Sequence, residues 1–532
     1  MFWIEALSIV VVSAVISAYS RYYLHMMQLE SYQTDGYMRW LNRNRDKLMG
    51  WTLNLGVLAT IAQFLLMLFL NMLFGDVWSR IISNLLVLAA FVAVAWRLNL
   101  VQYKTPEKKP FKMTPRMTRL YAALALVALL GCMFLNSMGV PVYLMFVGVP
   151  YLALVAAWIM SPVEKGINRH YLEDARNKLQ SMPELVKIGI TGSYGKTSCK
   201  VILAGILCEK YRVYATAQSI NTPMGLTRAI REKLNDTHQI FIAEMGARHE
   251  GDIKELCDFI HPQYGVITSV GEQHLETFGD IQTVAKTKNE LIDSLPKDGA
   301  AFFGADGGWC DELYERCPVE KYRAGLTGGF LSMYAEDIKV GSHGSSFTLA
   351  DAEGGRVFCR TKLLGRHNIQ NIALCAMVAR RLGLTLEEIS HGIARVKPIE
   401  HRLQLLDGAS GITIIDDAFN SNPVGAKAAL DVLSQFDARR VIVTPGMVEQ
   451  GEKEEKLNRL FGNQIASSCD IAILVGHKHS RPILEGAVEA GMPQDRITTV
   501  ANLDEAQGVL AQITRQGDVI LFENDLPDNY SE

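Results

Sequence analysis

The chain has 532 residues, enough for several domains at roughly 150 residues each. Apolar residues make up 49% and charged residues 20%, close to the soluble average. With 53 Lys and Arg against 56 Asp and Glu the net charge is −3, which excludes a strongly basic nucleic-acid binder and an acidic disordered tail. The average hides a split: the long apolar runs lie before about residue 160, and most acids and glycines lie after it. The nine cysteines are scattered, with no C-x-x-C pair. That usage fits a reducing compartment, with neither a disulfide framework nor a zinc site.

Phe2 to Ser20 is apolar but lacks the basic leader and small-residue cleavage site of a signal peptide. Four more apolar runs follow, near 51–74, 81–96, 120–136 and 140–160. Each approaches the 20 or so residues that a helix needs to cross a bilayer, and the third is expected to begin near Trp78. Arg21, Arg39, Arg43, Arg45 and Lys47 occupy the first loop; Arg97, Lys104, Lys108, Lys109, Lys112, Arg116 and Arg119 occupy the third. The other two loops carry only Arg80. The positive-inside rule then predicts a multi-pass membrane protein with its N-terminus outside and everything after Met160 in the cytoplasm. The spans hold few polar residues (Glu5, Asn54, Gln63, Asn71, Asn84) and no row of charges that would mark an ion path.

Domain boundaries are expected at 1–162 for an α-helical membrane domain, 163–183 for an amphipathic linker, 184–398 for a central ATP-binding α/β domain and 399–532 for a Rossmann-like domain. Ser161-Pro162 is expected to end the last span. Ile167, Tyr171, Ala175 and Leu179 then repeat at helical spacing, which predicts a connector helix that could lie at the membrane surface. From Leu185 short apolar runs alternate with helical stretches, which predicts α/β architecture with a mostly parallel sheet, and a second alternation begins near Ile412.

Gly189-Ile-Thr-Gly-Ser-Tyr-Gly-Lys-Thr-Ser198 follows a strand-like run and opens a helical one. In that context Thr191, Gly192, Ser193, Gly195 and Ser198 read as a phosphate loop, whose glycines let backbone N–H groups face phosphate oxygens. Lys196 would reach the β/γ-phosphates and the Thr197 hydroxyl would sit on Mg²⁺. The spacing departs from the common G-x-x-x-x-G-K-[ST], since Gly189 lies six positions before Gly195 and Gly192 only three.

The T-G-[ST]-x-G-K-T-[ST] variant resembles the Mur ligase superfamily of ATP-dependent amide ligases. Further motifs of that family follow in order: Asn221-Thr222-Pro223, Glu244-Met-Gly-Ala247, Gly271-Glu-Gln-His-Leu-Glu276, Ala285-Lys-Thr-Lys-Asn-Glu290, Gly365-Arg-His-Asn-Ile-Gln-Asn371, His401-Arg-Leu403 and Asp416-Asp-Ala-Phe-Asn-Ser-Asn-Pro423. The last string most resembles the MurF-like branch, which adds D-alanyl-D-alanine. The resemblance implies an ADP-forming carbon–nitrogen ligase that uses ATP and two Mg²⁺ ions and works through an acyl phosphate. It implies Lys196, His274, Lys288 and Arg402 as catalytic residues, and Thr197, Glu244, His274 and a carbamylated Lys288 as metal ligands, with Lys286 the competing lysine. It implies Asn371 at the adenine, Arg402 at the γ-phosphate, Asp417 at the ribose, and Asn221, Thr222, Asn420 and Asn422 toward the substrates.

Two departures bear on those substrates. Where cytosolic ligases of the family begin with a domain for the UDP-sugar end, this chain carries the five apolar runs, so the expected carboxylate acceptor is membrane-associated, such as a lipid-linked envelope precursor. The other partners expected are an amino acid or short peptide amine and the membrane, with no nucleic acid. Gly446 stands where MurF-like chains have an acid, and the acidic end Phe522-Glu-Asn-Asp-Leu-Pro-Asp-Asn-Tyr530 stands where they carry Lys-Gly-Ser-Arg; an acidic segment suits a cationic amine or a solvated tail. D-alanyl-D-alanine is therefore not assigned as the amine. The leading expectation is a membrane-bound ligase of peptidoglycan and envelope synthesis. The alternatives are a capsule synthase of the poly-γ-glutamate kind, and an ATP-binding sensor or transport-linked module.

Overall fold

The computed structural model describes residues 2–102, 110–217, 220–271, 275–327, 330–408, 411–419, 421–448, 450, 453–477 and 480–524. They form two compact units that divide between Arg169 and His170. Among the described residues five helices are long and apolar enough to cross a membrane: Phe2–Leu29, Asn54–Gly75, Val77–Leu98, Pro115–Ser137 and Val142–Gln180, the last of which continues past Arg169. A 22-residue helix is about 33 Å long, which matches a hydrocarbon core of about 30 Å. The second and third meet at Gly75, whose φ of +76° breaks the helical path. Their outward faces carry Leu58, Phe64, Leu65, Met72 and Leu86, while Tyr23, Phe91, Tyr143 and Phe146 fill the interior. That inside-out apolar pattern suits a lipid solvent. Gln63 donates to Asn84 at 2.6 Å, which joins the second and third helices, and Arg119 makes a two-pronged ion pair with Glu164 at 2.7 and 3.0 Å.

Pro162 does not end the last helix, contrary to expectation. A single α-helix covers Val149–Gln180 with Pro162 inside it. Proline removes one N–H donor, a loss that long apolar helices tolerate through local adjustment. The expected amphipathic stretch is present, but its apolar face is not free for a membrane surface. Ala175 and Leu179 are buried with Leu226, Ile230 and Phe259 of the second unit. Arg231 pairs with Asp174 at 2.5 Å and lies over the Tyr171 ring.

The second unit holds two sheets. The strands of the first are β1 (Val186–Thr191), β2 (Val213–Ala215), β3 (Ile240–Glu244), β4 (Tyr264–Ile267), β5 (Ala300–Gly304), β6 (Glu320–Gly325), β7 (Met333–Gly341), β8 (Gly344–Asp351) and β9 (Arg356–Thr361). Their order is β2-β3-β1-β4-β5-β6-β7-β8-β9. The ladder is parallel as far as β7 and antiparallel through β8 and β9. Alternate residues of the central strands serve opposite faces, as the pleat requires. Ile188, Ile242 and Phe302 pack with helices Lys196–Leu207 and Arg366–Arg381. Phe241, Ala243 and Phe303 pack with helices Asp252–Ile260 and Ile281–Asp293.

The second sheet contains β10 (Gln404–Asp407), β11 (Thr413–Asp417), β12 (Arg440–Thr444), β13 (Ile471–Val475), β14 (Ile497–Val500) and β15 (Val519–Glu523), in the order β10-β11-β15-β12-β13-β14. Only β10 is antiparallel. Because the last strand inserts between β11 and β12, a crevice opens at their carboxyl ends, the usual ligand position in open α/β sheets. Helices Glu454–Ser468 and Arg481–Glu489 cross in contact through two glycines. A Cβ on Gly462 would overlap the Ile483 carbonyl, and one on Gly486 the Arg459 carbonyl. Gly462→Ala or Gly486→Ala should therefore destabilise this domain by about 1–3 kcal/mol, read as a lower urea midpoint with an unchanged slope.

Candidate active site

The phosphate loop lies between β1 and helix Lys196–Leu207. Two of its glycines are required sterically. Gly192 has φ +147° and a Cβ there would collide with the Thr268 hydroxyl. Gly195 has φ +79° and a Cβ would come within 2.9 Å of Asn371 Oδ1. That second approach places Asn371, the expected adenine-side residue, against the loop. The loop is tied to the end of β4: Ser193 N donates to Ser269 O at 2.8 Å, Gly271 N to Ser193 Oγ at 3.0 Å, and Tyr194 N to Ser269 Oγ at 3.1 Å. Thr191 Oγ1 donates to Met245 O at 3.0 Å. Ser198 lies in the first helical turn, whose N–H groups have no intrahelical partner and suit an anion.

Glu244 ends β3 and is buried. Thr197 Oγ1 donates to its Oε2 at 3.0 Å, and Asn221 Nδ2 to its Oε1 at 3.1 Å. A third donor is Lys200, whose Nζ lies 3.0 Å from Oε2, with both side chains 1% exposed. The sequence reading does not single out Lys200, since a lysine four residues into a helix looks like a surface residue. A buried carboxylate of this kind is retained only with such a partner.

Two cations sense Glu244, Lys196 and Arg402, and a third, Lys288, senses Lys196. Lys196 Nζ folds over the loop and donates to Gly192 O at 2.6 Å and Ser193 O at 3.2 Å. Its pKa falls to about 8 through burial, with Glu244 opposing the shift and Arg402 adding to it. Lys288 is 2% exposed on helix Ile281–Asp293. Burial, then repulsion from Lys196, lowers its pKa to about 7 against the pull of Asp252 and Glu290. Lys286 instead points outward and pairs with Glu250, so the structure separates the two candidate lysines. Arg402, from the segment before β10, lies over the Phe419 ring at 4.3 Å. Burial lowers its pKa, while Asp417 and Glu244 raise it.

Asp417 ends β11 and accepts from Leu403 N at 3.2 Å. Burial raises its pKa to about 6, against the pull of Arg402. His367 is a second residue that the sequence reading does not single out. Burial and then Arg402 lower its pKa to about 4, so it is neutral at pH 7. Asn368 is committed to Leu364 O at 2.8 Å. Thr222 and Asn422 act as helix caps, accepting from Gly225 N at 3.3 Å and Gly425 N at 2.9 Å. Their side-chain oxygens therefore have a structural task. His274 and Asn420 lie outside the described residues.

The donors fit a hard divalent cation in part. Mg²⁺ prefers oxygen ligands and is commonly held by one or two carboxylates together with substrate phosphates. Glu244 and Thr197 supply one carboxylate and one hydroxyl in contact. Among the described residues no cluster of three or more His, Cys, Asp or Glu side chains forms a closed metal cage.

A phosphate loop, a buried carboxylate with an adjacent hydroxyl, and cations from two domains define a nucleotide-dependent enzyme of the phosphate-loop class. Residues 190–379 match the family model "Mur ligase middle domain", and residues 401–523 match "Mur ligase, glutamate ligase domain". The chain is 30% identical over 362 residues to UDP-N-acetylmuramoyl-tripeptide–D-alanyl-D-alanine ligase of Mycobacterium tuberculosis strain H37Rv, covering 64% of this chain and 70% of that one. It is 28% identical over 338 residues to the ligase of that name from Bacillus subtilis, covering 63% and 72%. Among solved structures it is similar to MurF from Acinetobacter baumannii, with a TM-score of 0.61 and 25% identity over 67% of this chain and 77% of that one. The chain belongs to the Mur ligase family, whose members are ATP-dependent, ADP-forming ligases.

Proposed function

We propose that the protein is a membrane-bound amide ligase of peptidoglycan or envelope-precursor synthesis, which activates a carboxylate as an acyl phosphate and joins it to an amine. The observation that carries this reading is a phosphate loop whose Lys196 caps Gly192 O and Ser193 O, next to the paired carboxylate of Glu244, with Arg402 and Lys288 each acting electrostatically on Lys196. Buried cations that repel one another need an anionic ligand, and a nucleotide meeting a carboxylate supplies it. The MurF relatives support peptidoglycan precursors as the substrate class. The five apolar helices and the basic loops support a membrane protein with its ligase body in the cytoplasm. A carboxylate acceptor held at the bilayer, on a lipid carrier, is the simplest substrate for such an enzyme, since confinement raises its effective concentration.

In this reading the loop N–H groups and Lys196 bind the β- and γ-phosphates. Asn371 faces the adenine side and Asp417 the ribose. Arg402 offsets the negative charge that builds as the γ-phosphoryl group passes to the acceptor carboxylate. Glu244 and Thr197 would hold one Mg²⁺, and His274 and a carbamylated Lys288 would hold a second. Those ions, when bound, neutralise phosphate charge and polarise the transferring group. Arg402 and Asp417 come from a different domain than Lys196, so the two domains together complete the site and exclude water from the acyl phosphate. The amine then attacks the acyl carbon, the amide forms, and phosphate leaves.

ADP release by the detergent-purified protein tests this against a grid of acceptors and amines. The acceptors are UDP-linked peptides, lipid-linked precursors and glutamate oligomers. ADP release that requires both one lipid-linked acceptor and one amine is the expected result. A soluble UDP-peptide sufficing would remove the membrane-acceptor element. Release without any acceptor would overturn the ligase reading.

A further inference from the structure

The guanidinium of Arg402 has no carboxylate within ion-pair distance among the described residues; the contact recorded for it is the face of Phe419 at 4.3 Å. Phe419 itself is 45% exposed, in the short loop that follows β11. What holds the described residues of that loop bears on where Arg402 points. At its start, Ala418 N donates to Asp416 Oδ1 at 3.1 Å. At its end, Ser421 is 6% exposed and its hydroxyl donates to Oε1 of Glu523. Glu523 is the last residue of β15 and is 1% exposed. Its Oε2 accepts from Thr444 Oγ1, the last residue of β12, at 2.8 Å. Thr444 Oγ1 accepts in turn from Gly446 N at 3.1 Å. Next to Glu523, Asn524 Nδ2 donates to Gly446 O at 2.5 Å and Asn524 N to Asp417 O at 3.2 Å. Glu523 thus joins the carboxyl ends of three neighbouring strands, β11, β15 and β12, at the crevice of the second sheet. A carboxyl group left in so buried a place without full satisfaction would be costly, and both of its oxygens are occupied.

We propose that Glu523 is a positioning residue for phosphoryl transfer: through Ser421 it latches the β11 loop, which sets Phe419 against Arg402 and so fixes where the guanidinium points. Glu523 touches no substrate in this scheme. The inference rests on the proposed role of Arg402, and the experiment separates the two. A planar cation that is held by stacking has its plane defined by the ring. Loosening the ring leaves the charge in the site but misdirects it, and a displacement of about 1 Å can cost roughly a hundredfold in rate.

The test is steady-state ADP formation by the full-length protein, saturated with the acceptor and amine that give the greatest ADP release in the grid of UDP-linked peptides, lipid-linked precursors and glutamate oligomers above, for Ser421→Ala, Glu523→Gln, Glu523→Ala, Phe419→Ala, Arg402→Ala and the double variant Phe419→Ala/Glu523→Ala. Ser421→Ala and Glu523→Ala should lower kcat at least about tenfold with KM for ATP nearly unchanged, since the misdirected group acts in the transition state. Glu523→Gln can still accept from Ser421 and meet Thr444, and should stay within about threefold of wild type. The double variant should be no slower than Phe419→Ala, because both changes cut one chain of contacts. Multiplicative losses in the double variant, or wild-type kcat in folded Ser421→Ala and Glu523→Ala, would overturn the latch. Full activity of Arg402→Ala would instead overturn the role of Arg402 on which the latch depends. If Glu523→Ala does not fold, Ser421→Ala, which leaves the buried carboxyl in place, decides.

Discussion

Lys196→Ala should reduce ADP formation by roughly a thousandfold, at the upper end of what loss of one preorganised donor costs, and should weaken nucleotide binding as well. The reason lies in its surroundings. Nζ caps the loop at Gly192 O and Ser193 O, in the place where loop N–H groups gather around phosphate. Lys288 and Arg402 are close enough to perturb charge there, but neither makes those loop contacts. Folding should be spared. The lowered pKa of Lys196 means that its charge is held less favourably in the folded chain than in water, so alanine removes an unfavourable burial. A thermal melt at least as high as wild type, with activity gone, is the expected pair of results. Substantial ADP formation in the folded variant would remove the phosphate loop from the chemistry.

Lys288→Ala should be almost as damaging, at about a hundredfold or more in kcat, whereas Lys286→Ala should leave activity near wild type. Lys286 is exposed and paired with Glu250; Lys288 is buried and is repelled by the charge of Lys196. An amine with a pKa lowered to about 7 is half neutral at physiological pH, and only the neutral amine adds CO₂. Carbamylation turns a repelled cation into an anion between cations, which relieves the repulsion that lowers the pKa. Activity of protein stripped of CO₂ should therefore recover on adding bicarbonate, less completely as pH falls below 7. Short carboxylates should partly restore Lys288→Ala. Bicarbonate-independent activity, or full activity of Lys288→Ala, would count against the modified lysine. The unmodified amine also leaves a mark on stability. Between about 7 and the ordinary lysine value of 10.5 the unfolded chain binds the extra proton, so stability rises with pH across that window. Lys288→Met should flatten this rise.

Local signals made most of the site legible in the sequence. A phosphate loop is a contiguous string whose glycines answer to local backbone geometry, and both Gly192 and Gly195 hold the positive φ their role requires. The strand-like runs from Val186 to Phe522 and the apolar spans were equally legible, because period and length are visible in short windows. What stayed hidden is non-local. Lys200 is buried only because β3 delivers Glu244 beside it. Glu523 reads as part of an acidic tail until β15 is seen inserted between β11 and β12. The β7–β9 extension alternates at period two, with Ser345, Phe347 and Leu349 buried, a signal that the α/β alternation does not lead one to seek. Pro162 was expected to break a helix by a local rule, and the burial of Ala175 and Leu179 against Leu226, Ile230 and Phe259 belongs to a helix that continues past it. Thr222 and Asn422 stand in family-like strings, yet their oxygens cap helices.

The most direct test of the ligase account follows one oxygen atom. If the acceptor carboxylate is activated as an acyl phosphate, one of its oxygens bridges to phosphorus and leaves with the phosphate when the amine attacks. An acceptor labelled with heavy oxygen in that carboxylate, incubated with ATP and amine, should yield inorganic phosphate carrying one labelled oxygen per amide formed. Unlabelled phosphate released alongside amide, or phosphate released with no amide at all, would contradict it.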